Sequence, residues 1–355
     1  MHQKSFFEFL SLSHQERIHS QIISWIFSNN FKGIKESEKI KLLNSIFKLN
    51  IEQVEFAITE YKNIDILVKT NDSILVIENK LKSSQHSNQL DKYLKICKED
   101  FPHLNQKFYF LTLIGEKSND KNWENISYEN LYENLKTLKL IDNNHSTIFK
   151  EYLTFLTKLV SIFKDFSENY FNYKTVFLDG KKKKIDKIYY DYPSLNEEFI
   201  GKNQLETIFQ KCLLNKIANH FNYEVSNVTD TRGEALIDFI FQTVKYKKKE
   251  YNIFMQLQFD NIKFAIASKN YNESNKKSIE PIIDIFEKLK AENNFGYRKL
   301  NKPKEKAYVS ISKKMSPNNY WEIEFDSLIK ILEKEINSSK KLAIQLKEII
   351  EKYVA

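Results

Sequence analysis

The chain has 355 residues, 41% of them hydrophobic and 29% charged, with a formal net charge of +8. That length is enough for two domains, and the composition excludes both a disordered chain and a membrane-spanning one. No run approaches the ~20 apolar residues that a spanning helix needs.

The opening residues Met1-His2-Gln3-Lys4-Ser5-Phe6-Phe7 lack the apolar stretch and cleavage site of a signal peptide, so the expected location is the cytoplasm. Cys97 and Cys212 stand far apart with no CxxC pair, and read as two reduced core cysteines. The positive charge suits a polyanionic partner. Its weight is reduced by abundant lysine, asparagine and isoleucine beside only six glycines, the mark of an AT-rich coding bias.

Ser5 to Phe31 reads as helix, because Ile18, Ile22, Ile23, Trp25 and Ile26 recur at helical spacing. Ser13 followed by Glu16 has the form of a capping box. A second helix is predicted over Ser37 to Leu49. Three strand-like runs follow: Val54 to Tyr61, Ile64 to Lys69 and Ser73 to Ile77. Asn71-Asp72 is a short polar turn, which makes the last two runs a hairpin. From Ser87 a helix carries Leu90, Tyr93, Leu94 and Cys97 on one face and ends near Pro102. Lys107 to Ile114 is a further strand and Ser146 to Glu168 a long helix. This order implies a mixed sheet with helices on its faces.

Asn172 to Lys187, with Asp179-Gly180 beside Lys181 to Lys184, marks a boundary. It separates a first domain over 1–170 from a second, α+β domain over 185–355. The second is predicted to hold a helix over Asn196 to Phe221 and strands at Glu234 to Val244, Tyr251 to Phe259 and Ile262 to Ala267. A helix over Ile279 to Asn293, a strand near Ala307 to Ser312 and a helix from Asp326 complete it.

The chemistry-bearing string is Ile64-Asp65-Ile66-Leu67-Val68, a turn, then Ile74-Leu75-Val76-Ile77-Glu78-Asn79-Lys80. Pairing about the turn brings Asp65, at the start of one strand, to Glu78, at the end of the next. Two carboxylates with open positions suit a hard divalent cation. Strand side chains alternate, so Lys80 shares the face of Glu78 and can orient water or stabilise developing charge. Asn79 points away, leaving its backbone carbonyl to complete a metal shell.

These residues resemble the PD-(D/E)xK, or restriction-endonuclease-like, nuclease superfamily. They are similar to a bacterial branch of it with Ile-Asp, then Ile-Glu-Asn-Lys, then Gln-Leu-x-x-Tyr. Here those elements are Ile64-Asp65, Ile77 to Lys80, and Gln89-Leu90-Asp91-Lys92-Tyr93, preceded by Glu16-Arg17-Ile18-His19-Ser20 and Trp25. The resemblance covers roughly residues 10 to 165.

The resemblance implies a mixed four-stranded sheet flanked by helices, Mg²⁺ (or Mn²⁺) dependence and a nucleic-acid substrate. It implies that Asp65 and Glu78 ligate metal, that Lys80 is the catalytic lysine, and that Gln89 contacts water, phosphate or the metal shell, with Tyr93 beside the substrate. Glu16 has two readings, an added carboxylate ligand or an ordinary capping residue. His19 likewise reads as a phosphate donor or a packing histidine. An acid on the first strand is expected, either Glu55 or Glu60. The loop after Lys80 departs from the branch: it lacks an acid near Gln85 and a preceding glycine, and His86 is the substitute phosphate donor.

The second domain shows no catalytic motif. Its Lys247-Lys248-Lys249 turn, flanked by Tyr246 and Tyr251, reads either as a phosphate grip or as a solvated turn. Ile237-Asp238 and Gln256-Leu257-Gln258 are faintly like the first domain's motif, so a degenerate copy stands beside target recognition and partner binding as its role. The leading functional expectation is an Mg²⁺-dependent DNA endonuclease in phage defence or restriction, active as a homodimer where both strands are cut. An RNA nuclease or toxin on the same fold, and a catalytically silent binding module, are the alternatives.

Overall fold

The computed structural model describes residues 4–10, 15–81, 89–114, 118, 120–177, 192–221, 226–231, 233–258, 260–270, 274–292, 296–316 and 320–354. The chain divides into two compact units. One comprises 1–168 with 191–209, and the other 169–190 with 210–355. Residues 191–209, placed by sequence pattern beyond the boundary, thus cluster with the first unit.

The first unit opens with helices α1 (Phe6–Phe9), α2 (Glu16–Phe27) and α3 (Glu36–Phe47). The expected single helix from Ser5 to Phe31 is two helices. Ser13 lies outside the described residues. The N-cap of α2 is Gln15, which makes no side-chain cap bond, so Glu16 opens the helix instead of closing a capping box. The capping box forms earlier, between Ser5 and Glu8.

Strands β1 (Val54–Tyr61), β2 (Ile64–Thr70) and β3 (Ser73–Lys80) form an antiparallel meander. The β1–β2 turn is Lys62-Asn63, with φ of 48° and 72°, the mirror-image turn that matches strand twist. After α4 (Gln89–Asp100), β4 (Asn105–Thr112) pairs parallel to β3. β5 (Trp123–Ser127) pairs parallel to β4, a fifth strand beyond the four expected. The sheet order is β1-β2-β3-β4-β5. Helices α5 (Tyr128–Leu135), α6 (Asn144–Asn169) and α7 (Leu195–Lys202) follow.

Every residue of β3 is buried, as a central strand covered on both faces must be. On one face Leu67, Ile74, Val76, Phe108 and Phe110 pack with Leu90, Tyr93, Ile96 and Cys97 of α4. Helix α2 contacts β1, β2 and β3, and the buried Tyr109 hydroxyl of β4 donates to the Phe47 carbonyl at the end of α3. Both cysteines are free and buried, as expected.

The predicted helix over Asn196 to Phe221 is broken into α7 and α8 (Glu206–Phe221). Gln204 adopts φ 52°, and the Leu205 N–H reaches back to the Ile200 carbonyl, which closes α7. The second unit is a six-stranded sheet. Its strands are β6 (Ser226–Thr231), β7 (Glu234–Tyr246), β8 (Lys249–Gln258), β9 (Asn261–Ser268), β10 (Lys299–Asn301) and β11 (Tyr308–Lys314), in the order β10-β11-β9-β8-β7-β6. All its pairs are antiparallel. Its described strands thus form an antiparallel sheet, unlike the mixed sheet of the first unit. Helices α9 (Glu280–Glu292) and α10 (Phe325–Val354) complete it. A core of Tyr251, Ile253, Phe264, Ile266, Phe286, Leu342 and Leu346 fills it.

Phe110 is fully buried in the middle of the first sheet. Phe110→Ala should lower unfolding stability by about 3–5 kcal/mol, read as a drop in urea midpoint.

Candidate active site

The register of the β2–β3 hairpin builds the site. Ile66 pairs with Ile77, so Asp65 and Glu78 face each other one step further along. Asp65 Oδ2 accepts from the Asn79 backbone N–H at 2.8 Å, which fixes the Asp65 carboxyl against β3. Lys80 is on the Glu78 side of the strand, with its Nζ 2.5 Å from Glu78 Oε1. Glu78 is 0% exposed and Lys80 only 7%. Lys80 and Asp65 are the groups that reach the buried Glu78 carboxyl.

The electrostatics follow from this crowding. Burial pushes the Glu78 carboxyl up to about 8, the Asp65 charge adds to the rise, and Lys80 opposes it. Asp65 is raised as well, chiefly by burial, against the lowering pull of Lys80 and the Asn79 N–H. For Lys80, burial pulls downward, but Glu78, Asp65 and Glu16 outweigh it and the ammonium is held above its usual range. Glu16 thus acts on both Asp65 and Lys80 through its charge.

Asn79 does more than the sequence showed. Its side chain is buried on the opposite face from Glu78 and Lys80. The amide donates to the Glu16 carbonyl at 3.3 Å and to Ser20 Oγ at 3.0 Å. Its Oδ1 accepts from the buried Tyr128 hydroxyl at 2.7 Å. One residue therefore joins β3 to the start of α2 and to α5. The Asn79 N–H faces β2, and in extended backbone N–H and C=O of one residue point the same way, so its carbonyl is on the Asp65 side too.

The other expected residues are distributed unevenly. Gln89 donates its amide to the Tyr93 hydroxyl at 2.8 Å, and Tyr93 donates to the Asn63 carbonyl. These two tie the start of α4 to the β1–β2 turn. Tyr93 is buried beneath the acids, and its hydroxyl is raised by burial first and then by the charges of Glu78, Asp65 and Glu60.

Of the two first-strand acids, Glu55 is paired with Lys69 at 2.5 Å, at the end of the hairpin remote from Asp65. Glu60 is at the near end, in the left-handed region at φ 62°, with Arg17 Nε 3.9 Å away. His19 is not brought to the surface of the site. It is 1% exposed, bonded to the Tyr152 hydroxyl at 3.1 Å and packed against Tyr128 and Phe155. That position favours the packing histidine of the two readings. His86 lies outside the described residues. Lys247 and Lys248 belong to the second unit, at the β7–β8 turn. There the faint motif is a satisfied network: Gln256 Nε2 donates to Asp238 Oδ1 at 2.8 Å, and Lys263 Nζ donates to Gln256 and Gln258.

Among the described residues, no group of three or more His, Cys, Asp or Glu side chains is set to hold a metal ion, and no helix is long and apolar enough to cross a membrane. The donor set at Asp65 and Glu78 is two carboxylates and a carbonyl, with the Glu78 carboxyl fully buried. A hard cation that keeps open positions for water and phosphate fits such a set. A family model described as the PD-(D/E)XK nuclease superfamily matches residues 4–354. No curated protein and no solved structure matches the chain.

Two measurements check this geometry. Asn79→Ala removes two buried hydrogen bonds and one part-buried bond and strands the Tyr128 hydroxyl, so stability should fall by about 2–4 kcal/mol in urea unfolding. An unfolded glutamate titrates near 4.5, whereas folded Glu78 is pushed up to about 8. The folded state therefore holds the extra proton between those values. In chelator, stability should fall as pH rises through that window, by up to about 1.4 kcal/mol per pH unit, and Glu78→Gln should flatten the slope.

Proposed function

Because the chain belongs to the PD-(D/E)XK nuclease superfamily, we propose that it is a divalent-metal-dependent endonuclease that hydrolyses phosphodiester bonds of DNA. The observation that carries the reading is the alignment of Asp65, Glu78 and Lys80 at one end of the β2–β3 hairpin. The choice of DNA, and a role in phage defence or restriction, follow the family resemblance.

In this reading Asp65 and Glu78 hold Mg²⁺ or Mn²⁺, with the Asn79 carbonyl as a third oxygen and Glu16 adding negative charge. The cation, when bound, polarises the phosphate and lowers the pKa of an attacking water. Lys80, on the Glu78 side of β3, would direct its ammonium to the water and the developing charge on phosphate. Gln89 and Tyr93 keep the β1–β2 turn and the start of α4 in register with the acids. Glu60, at the near end of β1, is the first-strand acid in this scheme. Cutting both strands takes two such sites, so a homodimer is the active form on duplex DNA.

Purified protein should cleave plasmid DNA with Mg²⁺ and not with EDTA. Asp65→Ala and Lys80→Ala should each lower the rate by about 10²-fold or more. Cleavage that survives both substitutions would sink the site assignment. Cleavage of total RNA alone would move the reading to an RNA nuclease, and failure to cut any substrate with Mg²⁺ or Mn²⁺ would move it to a binding module.

A further inference from the structure

The second unit carries a cavity that the chemistry at Asp65 and Glu78 does not use. It has a volume of about 310 Å³ and lies beside the β7–β8 hairpin, lined by Lys248, Lys249, Lys269, Glu250, Ser268 and Asn270. The hairpin pairs as far as Tyr246 opposite Lys249, which leaves Lys247 and Lys248 as a two-residue turn. Their φ values, 47° and 64°, are both left-handed. Such a turn favours Asn-Gly. Two lysines here retain charge where backbone preference would choose other residues, a local conflict of the kind found at functional positions.

The two turn lysines differ in what they do. Lys247 Nζ lies 5.3 Å from the centre of the Tyr246 ring, so its charge rests on the strand. Lys248 and Lys249 line the cavity. Lys269 joins them from the end of β9, tied to the hairpin by its N–H bond to the Glu250 carbonyl and by an ion pair to the Glu250 side chain, both at 3.0 Å. Both members of that pair are about half exposed, so the pair is open to exchange with an incoming anion.

The lining residues therefore include three lysines against one glutamate, beside the neutral Ser268, Asn270 and Ser274. Lysine ammoniums are compact point charges suited to phosphate oxygens. The volume is at the lower end of ligand pockets, ample for one sugar–phosphate unit and far larger than an isolated anion requires.

We propose that this cavity binds a nucleotide phosphate, supplied by the backbone of a nucleic-acid strand. The phosphate chemistry stands on the cavity alone, and the choice of a strand over a free nucleotide rests on the nuclease reading.

The test is a fluorescence-anisotropy titration of the full chain in EDTA, where a metal-dependent enzyme does not cut. Labelled single-stranded and duplex DNA and RNA are the probes. The parent is compared with Lys248→Ala/Lys249→Ala and with the triple variant that adds Lys269→Ala, each checked for folding by circular dichroism. The triple variant should bind about 10-fold more weakly, and its slope of log K against log salt should be shallower by about one. Competition by a nucleoside monophosphate at micromolar concentration, with no lysine-dependent binding of any strand, would assign the cavity to a free nucleotide and overturn the strand. Parental affinity and salt slope in a folded triple variant would overturn the proposal altogether, as would failure of the parent to bind any probe. Lysine-dependent binding without cleavage in Mg²⁺ would instead count against the nuclease reading and leave this one standing.

Discussion

Two carboxyl groups and an ammonium are held together, nearly dry, at one end of a β-hairpin, and much of the first unit is arranged around that fact. The β2–β3 register fixes it: with Ile66 opposite Ile77, Asp65 must face Glu78. A slip of one residue would turn Leu67 and Val76 outward and the acids with them, so the hydrophobic faces that stabilise the sheet also lock the polar cluster. Parallel strands β4 and β5 then make β3 central, which is why Glu78 is buried at all.

Burying that cluster is unfavourable. Glu78 and Asp65 are both pushed toward the protonated form by burial, and Lys80 compensates only in part. The surroundings resist collapse through bonds made elsewhere. On the far face of β3, Asn79 is pinned by Ser20, the Glu16 carbonyl and Tyr128. On the near face, the chain from Gln89 through Tyr93 to Asn63 fastens the helix to the turn. Supports on both sides hold the two acids in place at the hairpin end. This is the usual trade of stability for a preorganised site.

The second unit handles polar groups in its sheet differently. Asp238, Gln256 and Lys263 lie in one register line across β7, β8 and β9, and each satisfies the next. Amides stand where the first unit has an acid and a lysine, so charge is spread rather than concentrated. Lysines gather at the β7–β8 hairpin end, beside the cavity. An antiparallel meander with a long hairpin presents such turn residues readily, because its connections are short and exposed.

The sequence by itself determined the elements that depend on near neighbours. Asp65, Glu78 and Lys80 were legible because one hairpin, with a polar turn and period-two alternation, brings them together within sixteen residues of chain. The helices α3, α4 and α6 and strands β1 to β4 showed in the same way. Strand β5 is five residues long and β6 is Ser-Asn-Val-Thr-Asp-Thr, too short or too polar to carry a signal.

Only the tertiary structure decided the rest. It chose Glu60 over Glu55 as the acid nearer Asp65, buried His19 against Tyr152, and made Asn79 a clip between elements. It also set Lys269 beside the β7–β8 turn. Each of these contacts joins residues fourteen to more than a hundred positions apart, and neither turn chemistry nor periodicity encodes a partner at that distance. Such contacts are fixed when the helices and strands pack, by the volumes and hydrogen bonds that the packed elements can satisfy together.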